Sequence, residues 1–72
     1  MKKLSHLKPG DIARVAGIQS SDLKPKLLEM GLVEGQEIKV LFKAPFGDPI
    51  AVEVGDYVLS MRKDEAILVE VK

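Results

Sequence analysis

The chain has 72 residues, no cysteine, and 11 Lys and Arg against 11 Asp and Glu, so its formal net charge is zero. The missing cysteine excludes disulfide staples, thiolate-held zinc, iron–sulfur clusters and thiol catalysis, and the balanced charge leaves no cationic surplus for a nucleic-acid backbone. With 46% hydrophobic and 31% charged residues, the chain reads as one folded domain rather than a disordered segment.

The opening MKKLSHLKPGD has the lysines of a signal peptide without its apolar centre, because Ser5, His6 and Lys8 interrupt Leu4 and Leu7. Residues 1–7 are therefore expected to form a loose extension of a single domain over residues 1–72. No apolar run nears the ~20 residues of a membrane helix. The expected location is the reducing cytoplasm, with any membrane reached only through a partner. His6 is the lone histidine; its neighbours are not carboxylates, and it is expected to be solvated.

KPGD, residues 8–11, reads as a turn, and Ile12 to Gly17 as a short strand diluted by Ala13 and Ala16. SSDLKPKLLEMG is the one expected helix. Ser20 or Ser21 offers the N-cap oxygen, Asp22 suits the positive end of the dipole, and Gly31 suits the left-handed closing position. Pro25 is tolerable only in the first turn, which starts the helix near Lys24. Leu23, Leu27 and Met30 fall on one stripe, with Leu28 off it. Beyond the turn bracketed by Gly31 and Gly35 the period becomes two. Ile38, Val40 and Phe42 share a face predicted to point inward, as do Ile50, Val52 and Val54, then Tyr57, Leu59 and Met61. Gly55-Asp56 is a hairpin signal in a less favoured order than Asp-Gly. RKDE reads as a charged turn, and Ile67, Val69 and Val71 close the chain on one face. The sum is a mainly β fold: a small barrel of about five antiparallel strands with one short helix inserted after the first.

Little in the chain points to chemistry. Asp64 and Glu65 are adjacent in a charged turn, so they do not face each other across a cleft. No alternating acids form a calcium loop. Gly47 stands alone and leads into a strand, unlike a phosphate cradle. With no Trp, one Tyr and two Phe, the chain is poorly equipped for a proline-peptide groove. No catalytic residue, cofactor site or metal site is assigned. Leu28, Leu41, Phe46, Val58 and Leu68 are apolar residues on the outward faces, and a contiguous set of them would mark a binding patch.

APFGDPIAVEV, residues 44–54, accounts for itself largely as a rigid turn. Pro45 and Pro49 withhold N–H donors, so pairing stops at Pro45 and resumes at Ile50. Gly47 supplies a positive φ, and Asp48 can bond its own backbone. Phe46 is the residue that a turn does not explain.

LLEMGLVEGQEIKV, APFGDPIAVEV and MRKDEAILVEV, in that order and spacing, resemble the FeoA family of ferrous iron transport accessory proteins, a domain also found at the C-terminus of iron-dependent repressors. The resemblance runs from about Lys8 to Val71. It departs at Glu34, where the family commonly has proline, and at Met61, where leucine is usual and the swap conserves volume. It implies an SH3-like barrel and a non-enzymatic cytoplasmic partner of the G-domain ferrous iron permease FeoB. A 72-residue chain has no room for a DNA-binding domain, which favours the accessory over the repressor. Partner contacts are expected on the helix at Leu27, Leu28 and Met30 and at the corner Phe46, Gly47, Asp48 and Pro49. The alternative is an Fe²⁺ sensor or chaperone using Asp48, Glu65 or His6, a poor donor set for a transition metal. Unpaired edge strands allow weak self-association.

Overall fold

The computed structural model describes residues 2–72. Its strands are β1 (Lys2–Lys3), β2 (Ile12–Ile18), β3 (Glu37–Lys43), β4 (Ile50–Val54), β5 (Tyr57–Met61) and β6 (Val69–Val71), with helices α1 (Lys24–Glu29) and α2 (Lys63–Ala66). A short 3₁₀ turn covers Leu4–His6, and a tight turn that is not helical covers Pro45–Gly47. The strands form one antiparallel sheet in the order β1-β6-β2-β3-β4-β5. Laid flat, six strands at ~4.8 Å spacing would make a sheet about 24 Å wide and a single layer thick. The observed extents of 27 × 23 × 21 Å require the sheet to roll around its contents.

The roll is made at β2. Its first half, Ile12 to Arg14, pairs with β3, and its second half, Val15 to Ile18, pairs with β6. The register skips Ala16, a bulge that lets both Val15 and Ile18 reach the core although an unbroken alternation would send them to opposite faces. A second bulge skips Leu41 between the pairs Val40↔Val52 and Phe42↔Ala51. It reverses the phase predicted for Phe42, which is 54% exposed on the outer face instead of buried beside Val40. Lys43 now shares the inner side with Ile50, its partner in β4.

The first residues are not a loose extension. Lys2 and Lys3 pair with Val71 and Glu70, and Leu4 and Leu7 are buried. A 3₁₀ turn has about three residues per turn, so it presents these two leucines on one side. The Lys43 ammonium donates to the Ser5 carbonyl at 2.9 Å and the Leu7 carbonyl at 3.2 Å, tying this segment to the end of β3.

α1 begins at Lys24 with Pro25 in its first turn, as the sequence predicts. The Ser21 hydroxyl accepts from the Leu23 N–H at 3.1 Å just ahead of it. At the other end Gly31 has φ +94°, its N–H donates to Leu28 O, and the Leu32 N–H donates to Leu27 O. This is a Schellman closure, and the hydrophobic contact that accompanies such a closure is supplied by Leu27 and Leu32, both fully buried. Leu27 is thus a core residue and not the surface contact expected of it.

The RKDE segment is a helix rather than a turn. Glu65 sits at its third position and accepts from the Arg62 N–H at 2.8 Å, the acidic half of a capping box. Ala66 packs into the core, while Ile67 at the helix end is 44% exposed instead of joining Val69 and Val71 inside. All buried hydrophobic side chains among the described residues are aliphatic apart from Met61.

Candidate functional site

The corner between β3 and β4 follows from its prolines and glycine. Pairing stops after Lys43 and resumes at Ile50, and the turn between is closed by Ala44 N–H to Pro49 O at 3.0 Å and Gly47 N–H to Ala44 O at 2.8 Å. The Asp48–Pro49 peptide is cis, and Gly47 takes φ +76°. Phe46 takes φ +66°, alone among the described non-glycine residues, and is 96% exposed. The left-handed region costs an L-residue about 1–2 kcal/mol. Full burial of a phenylalanine would gain about 2 kcal/mol that the isolated chain forgoes. The Gly47 N–H to Ala44 O bond makes Phe46 the third residue of a four-residue turn, where a positive φ is at home and glycine or asparagine is usual. The turn thus uses the conformation but not the exposed aromatic ring, and a non-glycine residue held there is an outlier of the kind that clusters at functional positions.

Phe46 lines an open groove of about 570 Å³. Its lining comes from the 3₁₀ turn with Ser5 and His6, from the corner with Ala44, Phe46 and Gly47, from α2 and its end with Lys63 and Ile67, and from Lys43 and Ile50 of the flanking strands. Its charged lining is basic, Lys43 and Lys63 without an acid, with the His6 imidazole beside them. Asp48 faces an adjoining hollow of about 370 Å³ that it shares with Arg62, Lys63, Asp64 and Ile67. Its carboxylate accepts a long contact of 3.4 Å from the Lys63 N–H.

Glu65 lies behind this surface and is 3% exposed. One carboxylate oxygen accepts from the Lys26 ammonium at 2.7 Å and the other from the Arg62 N–H. The hydrogen bond from Lys26 holds the carboxyl below its ordinary value of 4.5 despite the opposing effect of burial, with Arg62 assisting. Both oxygens are engaged, one joining α1 to α2 through Lys26 and the other capping α2 from within. Among the described residues no three His, Asp or Glu side chains gather as a metal cluster, so Asp48, Glu65 and His6 do not meet as a donor set.

Of the residues expected to meet a partner, Phe46 and Gly47 share the groove, Asp48 lines the hollow beside it, and Pro49 is exposed behind the turn. Leu28 is 41% exposed on α1 and Met30 is half-buried, its carbonyl accepting from the Tyr57 hydroxyl; neither lines the groove. Sequence reasoning missed Lys43, Lys63 and Ile67, and named His6 only as a solvated residue or an alternative metal donor and not as part of this groove. The one available signal was the spacing of Leu4 and Leu7, which would have docked the N-terminal wall.

The family model described as FeoA domain matches residues 2–72. A curated fusion protein of Fe(2+) transport protein A and the Fe(2+) transporter FeoB from Porphyromonas gingivalis is 35% identical over 71 residues, covering 97% of this chain and 8% of its own length. The solution structure of iron(II) transport protein A from Clostridium thermocellum superposes with a TM-score of 0.90 at 44% identity, over 99% of this chain and 44% of that one. FeoA of Stenotrophomonas maltophilia, solved in complex with zinc and described as a prokaryotic SH3 domain protein, gives a TM-score of 0.88 at 31% identity, over 100% of this chain and 91% of that one. The chain thus spans less than half the length of the first two of these relatives. The SH3-like fold expected from the sequence is the fold of these relatives, with six strands rather than five and a second short helix.

Proposed function

Since the chain belongs to the FeoA domain family, whose members are associated with ferrous iron transport, we propose that it is a non-catalytic accessory domain that works in the cytoplasm by binding the cytosolic part of a FeoB-like permease. No helix is long and apolar enough to cross a membrane among the described residues, which fits a domain that reaches the membrane through its partner. The fusion relative, which carries both proteins in one polypeptide, supports physical association between the two. The observation that carries a binding role is Phe46: a fully displayed aromatic in a left-handed conformation beside a groove is suited to contact and offers no chemistry.

The test is a chemical-shift titration of the labelled chain with the permease's cytosolic domain, with and without GTP and Fe²⁺. Saturable shifts are expected. A spectrum unchanged at stoichiometric excess under all of these conditions overturns the proposal.

A further inference from the structure

We infer that the groove beside Phe46 receives a short acidic segment of the partner protein, with one apolar side chain of that segment seated between Phe46 and Ile67; this rests on the reading above that the domain binds a protein. Charge argues for acidity. The chain as a whole is balanced, yet the groove gathers Lys43 and Lys63 beside His6 with no carboxylate in its own lining, Asp48 and Asp64 facing the adjoining hollow instead. Among the described residues neither lysine has an ion-pair partner. Lys43 is held in place by the Ser5 and Leu7 carbonyls, which fix its ammonium without neutralising it. A fixed, uncompensated cation is a preorganised receptor for a carboxylate, because little side-chain freedom remains to be lost on binding.

The apolar seat follows from exposure. Phe46 is 96% and Ile67 44% exposed, and both line the same groove. Charge complementarity steers the encounter and sets its specificity more than it supplies affinity. An aromatic and a branched aliphatic flanking one hollow provide the buried anchor around which binding energy concentrates. A purely anionic ligand would leave both uncovered.

Two probes test this on the full labelled chain: the permease's cytosolic domain, and a short synthetic peptide of Asp and Glu around one central leucine. Phe46→Gly removes the aromatic at a φ that glycine tolerates, so the fold is kept and thermal unfolding checks it. Lys63→Glu reverses one cation at an exposed position. Each variant is expected to weaken binding about tenfold or more, and Lys63→Glu also flattens the salt dependence. If the cytosolic domain binds the parent chain, its shifts should centre on His6, Lys43, Phe46, Lys63 and Ile67. Shifts centred elsewhere, or variants that bind within about twofold of the parent, overturn the groove while leaving the accessory role standing. If the cytosolic domain does not bind at all, the accessory role fails and the peptide alone decides: shifts at the groove sustain the inference, and no shifts overturn it. Equal binding by a peptide lacking the leucine overturns the apolar seat and the inference with it.

Discussion

Gly31 and Gly35 are two left-handed glycines four positions apart whose surroundings differ. A Cβ at Gly31 would run into the Tyr57 hydroxyl, which donates to the neighbouring Met30 carbonyl, whereas a Cβ at Gly35 meets nothing within 4 Å. Gly35→Ala should therefore cost only the conformational term, about 1–2 kcal/mol. Gly31→Ala should cost about 1–2 kcal/mol more than that, from displacing a ring or breaking its hydrogen bond. Urea midpoints of both variants, and of Gly31→Ala combined with Tyr57→Phe, check the account. If the steric reading is right, removing the hydroxyl recovers part of the Gly31→Ala loss; strictly additive losses would refute it. Gly55 explains a detail of sequence order in the same way. The positive φ of the β4–β5 hairpin lies at Gly55 and not at Asp56, the pattern of a type II′ turn, which wants its glycine first.

At the scale of elements, two short helices are joined by one carboxylate. Neither helix is long enough to be stable alone. Glu65 caps α2 from within and reaches α1 through Lys26. Because its folded pKa is lowered, it contributes stability that is present above its ordinary value of 4.5 and is lost as pH falls through the lower folded value. Lys26→Met removes the largest cause of that lowering. The Glu65 carboxyl should then titrate at higher pH, and the acid limb of the stability curve should flatten; carbon-detected NMR titration reads the first and acid unfolding the second. The loss at neutral pH should be modest, about 1 kcal/mol, because the Lys26 side chain is 59% exposed and screened by water. An unchanged Glu65 titration would show that burial and Arg62 alone set its state.

For the molecule as a whole, the N-terminal segment decides whether the core is closed. Leu4 is fully buried and packs within the same cluster as Val15, Leu27 and Val69. Leu4→Ala should cost about 2–4 kcal/mol, a large share of the roughly 4–10 kcal/mol expected for a domain of this size. Thermal unfolding should show a sharply lowered midpoint, and an unaffected one would mean that the segment only rests on the surface. This segment also marks the limit of what the sequence discloses. The inward faces of β4 and most of β3, the α1 stop at Gly31 and the rigid corner were all legible, because each depends on neighbours in the chain. Phe42 and Ile67 were misplaced because a bulge at Leu41 and a four-residue helix change the phase, and no residue type announces either. Tyr57, also expected inside, is 46% exposed at the start of the edge strand β5. The groove was half legible: Phe46 and Gly47 stand out as turn residues, but Lys43, Lys63 and His6 converge from three distant segments.

The pairing of β1 with β6 has a topological consequence. Lys2 lies directly across from Val71, one strand spacing away, so the path of the polypeptide is almost a closed ring. A few flexible residues would join the ends, and new ones could be opened at the exposed Gly55–Asp56 turn. Such a circular permutant should fold to the same sheet, read by its amide spectrum. A module whose entry and exit stand side by side can also be spliced into a loop of another protein without prising that loop apart.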